Sequence, residues 1–404
     1  MSGTAVIGVN ALPNTYTVTG GGNYCTGGAG VAVGLAGSNA GISYQLYNGA
    51  TSVGSAVTGT GSAISFGSIT GGGTYTVLAT NTSTTCTNNM TGSATVVVNA
   101  LPTVYTVTGG GNYCSGGTGV TVGLGNSASG VNYQLYNGAA TVGSPVSGTG
   151  TSISFGLQTG AGTYTVLATN AATSCTSNMS GTAVVGINAL PGTFSVTGGA
   201  NICAGSTGTA VGLSGSATGI NYQLYNGVAT VGSPVAGTNA AISFGLQTAA
   251  GTYSVVAINA TTGCTNNMTG SAVINVNPAP TAYTITGGGA FCSGGTGVTV
   301  GLGGSNTGIT YQLYNGASTV SGAVTGTGSA ISFGSVTGAG TYTVLATNTT
   351  TTCTGAMSGN AVVTVNSLPT VYTVTGGGNY CAGGAGMHVY LGGSNLGINY
   401  QLFN

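Results

Sequence analysis

The sequence predicts an all-β fold, a tandem array of seven-stranded Greek-key sandwiches. Three observations lead there. The chain repeats itself every 89 residues. Within a repeat, apolar residues alternate with small polar ones in short runs bounded by Gly, Asn and Ser, the period-2 signature of half-buried strands. No stretch shows a helical period, and a repeat of this length with about seven strands suits an immunoglobulin-like sandwich better than a solenoid coil.

The period is read from two sets of landmarks. Leu12-Pro13, Leu101-Pro102, Leu190-Pro191, Ala279-Pro280 and Leu368-Pro369 are 89 residues apart, and so are Met1, Met90, Met179, Met268 and Met357. These divide the chain into the end of a preceding repeat (1–11), four full repeats (12–100, 101–189, 190–278 and 279–367) and the start of another (368–404). Met1-Ser2-Gly3-Thr4-Ala5-Val6 aligns with Met179-Ser180-Gly181-Thr182-Ala183-Val184, and Tyr400-Gln401-Leu402-Phe403-Asn404 with Tyr133-Gln134-Leu135-Tyr136-Asn137. The expectation is an excerpt of a longer array, entered and left inside a repeat.

The repeat 101–189 supplies the strands in order. Tyr105 and Val107 form one face of the first, with Thr106 and Thr108 on the other. Val120, Val122 and Leu124 face inward on the second, and Val131, Tyr133 and Leu135 on the third. A short fourth strand spans about 140–146, Ile153 and Phe155 mark the fifth, and Tyr164, Val166 and Ala168 the sixth. Ala183, Val185 and Ile187 mark the last. Tyr164 follows a Gly turn at the start of the sixth strand, the setting of a tyrosine corner, in which the hydroxyl bonds back to the backbone. Tyr75, Tyr253 and Tyr342 are its counterparts.

Cysteine spacing carries the strongest bonding signal. Cys25 and Cys86, Cys114 and Cys175, Cys203 and Cys264, and Cys292 and Cys353 share one constant spacing, leaving Cys381 over. One bridge inside each repeat is expected, closing a loop worth roughly 4 kcal/mol in the chain-entropy account. The competing pattern, Cys86 to Cys114, would staple neighbouring repeats. Either one requires an oxidising, extracytoplasmic compartment. Between repeats the chain crosses Leu-Pro or Ala-Pro in about five residues, and Pro restricts both itself and the residue before it. A semi-rigid spacer is expected, with repeats roughly 35 Å long and a rod of about 150 Å.

Composition excludes much chemistry. The chain has no Lys, Arg, Asp or Glu, where ordinary proteins are about one quarter charged. Nothing neutralises phosphates, so nucleic-acid binding loses its main source of affinity. There is no carboxylate pair for acid/base catalysis and no carboxylate cage for calcium or magnesium. No enzyme activity, cofactor or metal site is expected. No apolar run approaches the roughly 18 residues of a spanning helix. His388 is the only histidine, in the outward slot of the second strand occupied elsewhere by Ala32, Thr121, Ala210 and Thr299, and it has no carboxylate, second His or paired thiol to build a site with. Runs such as Gly109-Gly110-Gly111 lack the ending of a phosphate loop and read as turns. Asn81, Asn89, Asn178, Asn259, Asn267 and Asn348 head glycosylation sequons. Outward threonines, Thr15, Thr17 and Thr19, Thr106 and Thr108, and Thr284 and Thr286, form ladders that would suit glycan or ice, although Thr is also a favourable exposed strand residue.

Four motifs recur in fixed order along the whole chain. In the first full repeat they are Tyr16-Thr17-Val18-Thr19-Gly20-Gly21-Gly22-Asn23-Tyr24-Cys25, Tyr44-Gln45-Leu46-Tyr47-Asn48-Gly49, Gly73-Thr74-Tyr75-Thr76-Val77 and Cys86-Thr87-Asn88-Asn89-Met90-Thr91-Gly92. This pattern resembles the immunoglobulin-like tandem repeats of very large Bacteroidota surface adhesins. The resemblance implies a non-enzymatic secreted or outer-surface protein, exported by the type IX system and in some members serving gliding. Members of that family ordinarily carry charged residues, so the neutral composition is a departure. The expected function is an extended extracellular stalk or filament, self-associating into fibres or bundles because its surfaces do not repel. A repeated glycan- or ice-binding module is the alternative.

Overall fold

The computed structural model describes residues 3–404, so the landmark Met1 lies outside the described residues. Among those described the regular structure is all β, with no helix. In the first full repeat the strands are β1 (Val18–Gly20), β2 (Gly22–Cys25), β3 (Val31–Leu35), β4 (Ile42–Asn48), β5 (Thr51–Thr58), β6 (Ile64–Ile69), β7 (Gly73–Asn81), β8 (Thr87–Asn89) and β9 (Ala94–Asn99). They form two sheets, one ordered β1-β3-β6 and one ordered β2-β9-β7-β4-β5, with β8 added alongside β7. The pairs are antiparallel except β2 with β9, which is parallel. This is an immunoglobulin-like sandwich.

The next repeat reproduces it as β10 (Val107–Gly109), β11 (Gly111–Cys114), β12 (Val120–Leu124), β13 (Val131–Asn137), β14 (Ala140–Ser147), β15 (Ile153–Gln158), β16 (Gly162–Asn170), β17 (Thr176–Asn178) and β18 (Ala183–Asn188). Nine strands therefore stand where seven are expected. The expected first strand is two, because the glycine run is a crossing between sheets and the chain continues as a strand beyond it. At Gly109 and Gly110 φ is +87° and +82°. A Cβ would run into the Thr121 carbonyl oxygen at the first and lie 2.7 Å from that of Val184 at the second. Only glycine passes between the two sheets here. The other additional strand, β17, has three residues, too few for an alternation to show.

The core follows from register. Tyr44 faces Ala79 across β4 and β7, and Leu46 faces Val77, so a large ring lies opposite a methyl group and the layer fills without crowding. Tyr44, Leu46, Val77 and Ala79 are buried together with Val33 and Leu35 from the other sheet. The Tyr44 hydroxyl accepts the Asn39 N–H at 3.0 Å, which satisfies a polar atom inside the core. Burial pushes the Tyr44 phenol above its usual range, the Asn39 N–H acts in the opposite sense, and Tyr16 adds to the rise. Of the residues that mark the last strand, Ala183 and Val185 are buried and Ile187 is exposed. Pairing of β18 with β16 ends at Val185, and the rest of β18 runs on beside β11 alone, beyond the cover of the opposite sheet.

Four such cores lie along the chain, each within one sequence repeat. The chain divides into two compact units, one ending at Leu190 and the other beginning at Pro191. The second unit ends in a two-stranded ladder, Val374–Gly376 with Val389–Leu391.

Two outcomes are expected. Gly110→Ala should cost about 2 kcal/mol or more in chemical denaturation, from backbone strain plus the clash with Val184, whereas Gly116→Ala, at φ +80° in open space, should cost only about 1 kcal/mol. The melting temperature should be nearly flat from about pH 4 to 8, because no carboxylate or amine side chain titrates. Above about pH 10 it should fall: the exposed tyrosines of the unfolded chain lose protons first, while the raised Tyr44 phenol keeps its own, so proton loss favours unfolding.

Candidate functional site

The cysteines are placed by strand direction. Cys25 closes β2, opposite Asn99 at the end of β9, and the Thr26 N–H donates to the Asn99 carbonyl at 2.9 Å. It therefore lies at the pole from which the chain leaves the repeat. Cys86 lies past the far end of β7, where its carbonyl accepts the Asn81 N–H at 2.9 Å. From Asn99 back to Val96, across to Gly73 and along β7 to Asn81 is roughly 35 Å at about 3.3 Å per residue. A disulfide needs Cα atoms within about 7 Å.

The expected bridge inside each repeat is thus excluded by the sandwich itself, for Cys25 with Cys86 and equally for Cys114 with Cys175, Cys203 with Cys264, and Cys292 with Cys353. Cys25 bonds instead to Cys175 of the next repeat, with a Cα–Cα distance of 5.6 Å and a sequence separation of 150. Cys203 bonds to Cys353 in the same way, at 5.5 Å and the same separation. Cys114 and Cys264 are also disulfide-bonded. Cys86, Cys292 and Cys381 are free thiols, so the competing Cys86 to Cys114 pattern does not occur either. The cysteine after β16 is at the pole where the chain enters a repeat, and it meets the exit-pole cysteine of the repeat before.

The turn carrying Cys175 is built to present it. The Asn170 side-chain oxygen accepts the N–H groups of Ala172 at 3.0 Å and Thr173 at 3.1 Å, an Asx turn. Ser174 follows in the left-handed region at φ +59°, and the Cys175 side chain is fully buried. Asn81, Asn259 and Asn348 hold the equivalent turns, so three of the sequon asparagines carry the turn with their side-chain oxygens. Asn89, Asn178 and Asn267 end short strands and are exposed.

Tyr75, Tyr164, Tyr253 and Tyr342 donate their hydroxyls to the carbonyls of Gly71, Gly160, Ala249 and Gly338, at 2.7, 2.8, 2.9 and 2.7 Å. The methionines turn out to have a bonding role that periodicity alone did not reveal. The sulfurs of Met90, Met179, Met268 and Met357 accept the N–H groups of Tyr16, Tyr105, Phe194 and Tyr283 at 3.3–3.4 Å, fastening the segment that enters each repeat. Asn88 and Asn266 assist by donating to the carbonyls of Pro13 and Pro191 at 2.7 and 2.8 Å.

The remaining surface is shallow. Thr15, Thr17, Thr19, Thr106, Thr108, Thr284 and Thr286 are exposed. Thr19, Gly34 and Ser65 line an open groove of about 290 Å³ on the outer face of the three-stranded sheet, and Thr286, Gly301 and Ser332 line a similar one of about 330 Å³. His388 is exposed, its ring 5.7 Å from that of Tyr390. An apolar pocket of about 210 Å³ between Val374, Tyr390 and Leu402 belongs to the ladder in 368–404, whose equivalents elsewhere lie beneath a complete sandwich. Among the described residues no group of three or more His, Cys, Asp or Glu is placed to hold a metal ion.

No family model matches the chain, and no curated protein does. Solved structures similar to it are immunoglobulin and fibronectin arrays. Sidekick-1 immunoglobulin domains 1–5 share 12% identity over 89% of this chain and 79% of that one, with a TM-score of 0.26. Dscam1 isoform 4.44, N-terminal four Ig domains, shares 12% over 87% and 98%, at 0.19. The FN1–FN3 domains of chicken CNTN1 share 13% over 65% and 96%, at 0.23.

Unfolded without reductant, the chain should show three reactive thiols by colorimetric titration, where bridges inside each repeat would leave one. Removing the Cys25–Cys175 bridge in the double serine variant should cost up to about 5 kcal/mol, the chain-entropy value for a loop that closes a sequence separation of 150.

Proposed function

We propose that this chain is a stretch of extracellular stalk or filament, a non-enzymatic structural protein of a cell-surface adhesin. The observation that carries the proposal is the bridge between successive sandwiches, which fixes neighbours to each other and needs an oxidising compartment. In this reading the repeats 12–100, 101–189, 190–278 and 279–367 are the domains, 1–11 and 368–404 belong to flanking ones, and Tyr75, Tyr164, Tyr253 and Tyr342 serve as tyrosine corners. The motif resemblance supports a bacterial surface adhesin of the Bacteroidota type, exported by the type IX route.

The partner is more of the same material. With no charged side chain, the surfaces have no electrostatic barrier to lateral association, and Gly, Ser, Thr and Asn give flat faces that tolerate close approach. A second reading, a repeated glycan- or ice-binding face, is favoured by the recurrence of a shallow groove beside Thr19 in the first full repeat and beside Thr286 and Thr299 in the fourth. The variation of the outward slot between Ala32, Thr121, Ala210, Thr299 and His388 favours the scaffold.

Small-angle scattering over a concentration series tests this. Elongated particles that thicken with concentration, equally at low and high salt, are expected. A compact particle, or a monodisperse one at every concentration, would contradict the proposal. Binding on a glycan array, or thermal hysteresis in ice, would support the second reading instead.

A further inference from the structure

The two mapped bridges change how tension passes along the chain. Each spans a sequence separation of 150, from Cys25 to Cys175 and from Cys203 to Cys353. A pull on the two ends therefore has a covalent path that skips most of the polypeptide: residues 1–25, across a bridge, 175–203, across a bridge, 353–404. We propose that the bridges form a covalent short circuit, a built-in limit on extension that keeps the interior of each sandwich out of the load-bearing path.

What lies on the path is specific. Between Cys175 and Cys203 it holds β17, β18, the Leu190-Pro191 link and the two short strands Val196–Gly198 and Ala200–Cys203. These are the strands that enter and leave a repeat. Skipped are β12 to β16 of the second repeat, with Val122, Leu124, Tyr133, Leu135, Tyr164 and Val166, the centre of that core. In a sandwich without bridges, tension that exceeds the strength of the ladder draws out a whole repeat, and a bridge inside each repeat would still release the stretch between one bridge and the next in every repeat. Here, once the entering and leaving strands are pulled straight, the next element to resist is a covalent bond.

Alternation strengthens the effect. One bridge ends at Cys175 and the next begins at Cys203, on the far side of a single link between repeats. The load-bearing path is about one quarter of the chain. At about 3.5 Å per extended residue its contour is roughly 370 Å, against roughly 1,400 Å for the whole polypeptide. The function is that of a tether whose limit of extension is set by redox state: short when oxidised and long when reduced. The stalk reading gives this property its use, but the path itself depends only on the bridges.

The test is single-molecule stretching of the full chain held by peptide tags at its two ends, after alkylation of Cys86, Cys292 and Cys381. The oxidised chain should stop at a contour of about 370 Å. Added dithiothreitol should raise that limit about four-fold. The double variant Cys25→Ser/Cys175→Ser, still oxidised, should more than double the limiting length of the unaltered chain. An oxidised chain that extends repeat by repeat to the full contour overturns the proposal, as does a double variant with unchanged limit. A short oxidised contour in a protein found only in compact particles would leave the covalent path standing and reject the stalk.

Discussion

The two cysteines of a repeat are held at opposite poles of the sandwich, and the behaviour of the array depends on that separation. β2 runs parallel to β9 toward the exit pole, while β7 runs antiparallel to β9 toward the entry pole. The parallel pairing follows from the crossing at Gly20 to Gly22, which moves the first stretch of chain from the edge of one sheet to the edge of the other. Without that crossing Cys25 would not lie beside Asn99, and no bridge would reach the next repeat. The glycines of this crossing, of which Gly198 and Gly199 recur ahead of Cys203, thus help determine which disulfide forms.

A chain without charge needs another means of specifying loops, and neutral amides and hydroxyls supply it. Gln45 donates from its side-chain nitrogen to the carbonyls of Leu46, Val53 and Gly54 at 3.0–3.2 Å, closing the register shift between β4 and β5. Buried Ser38 donates to the Ser62 carbonyl at 2.6 Å and accepts the Thr60 N–H at 2.9 Å. Such bonds are short-range and insensitive to salt, so they define the fold without giving the surface any long-range field. The same neutral groups that satisfy the interior also make up the exterior.

Strand alternation was legible wherever a run was long enough to show it. Val122, Tyr133, Leu135, Tyr164 and Val166 are buried as their spacing implies, because a two-residue period places them on one face whatever the topology. Legibility stopped at features that depend on two distant segments. The disulfide partners were not readable, because in a periodic sequence the spacing from Cys25 to Cys86 and the longer one from Cys25 to Cys175 recur equally. Only strand direction tells which pair shares a pole. The exposure of Ile187 was hidden for a related reason: it continues the alternation of its strand, but its strand runs on past its pairing with β16. The methionine sulfur acceptors carried no signal beyond their periodicity, since Met in a core position ordinarily reads as packing.

The central claim is that the bridge joins successive repeats, and cleavage of the unreduced, alkylated protein followed by mass spectrometry tests it most directly. Pepsin suits a chain without lysine or arginine. Linked peptides containing Cys25 with Cys175 and Cys203 with Cys353, alongside alkylated Cys86, Cys292 and Cys381, are the expected result. Linked peptides joining Cys25 with Cys86 or Cys114 with Cys175 would contradict it, and with it the strand directions from which the bridge follows.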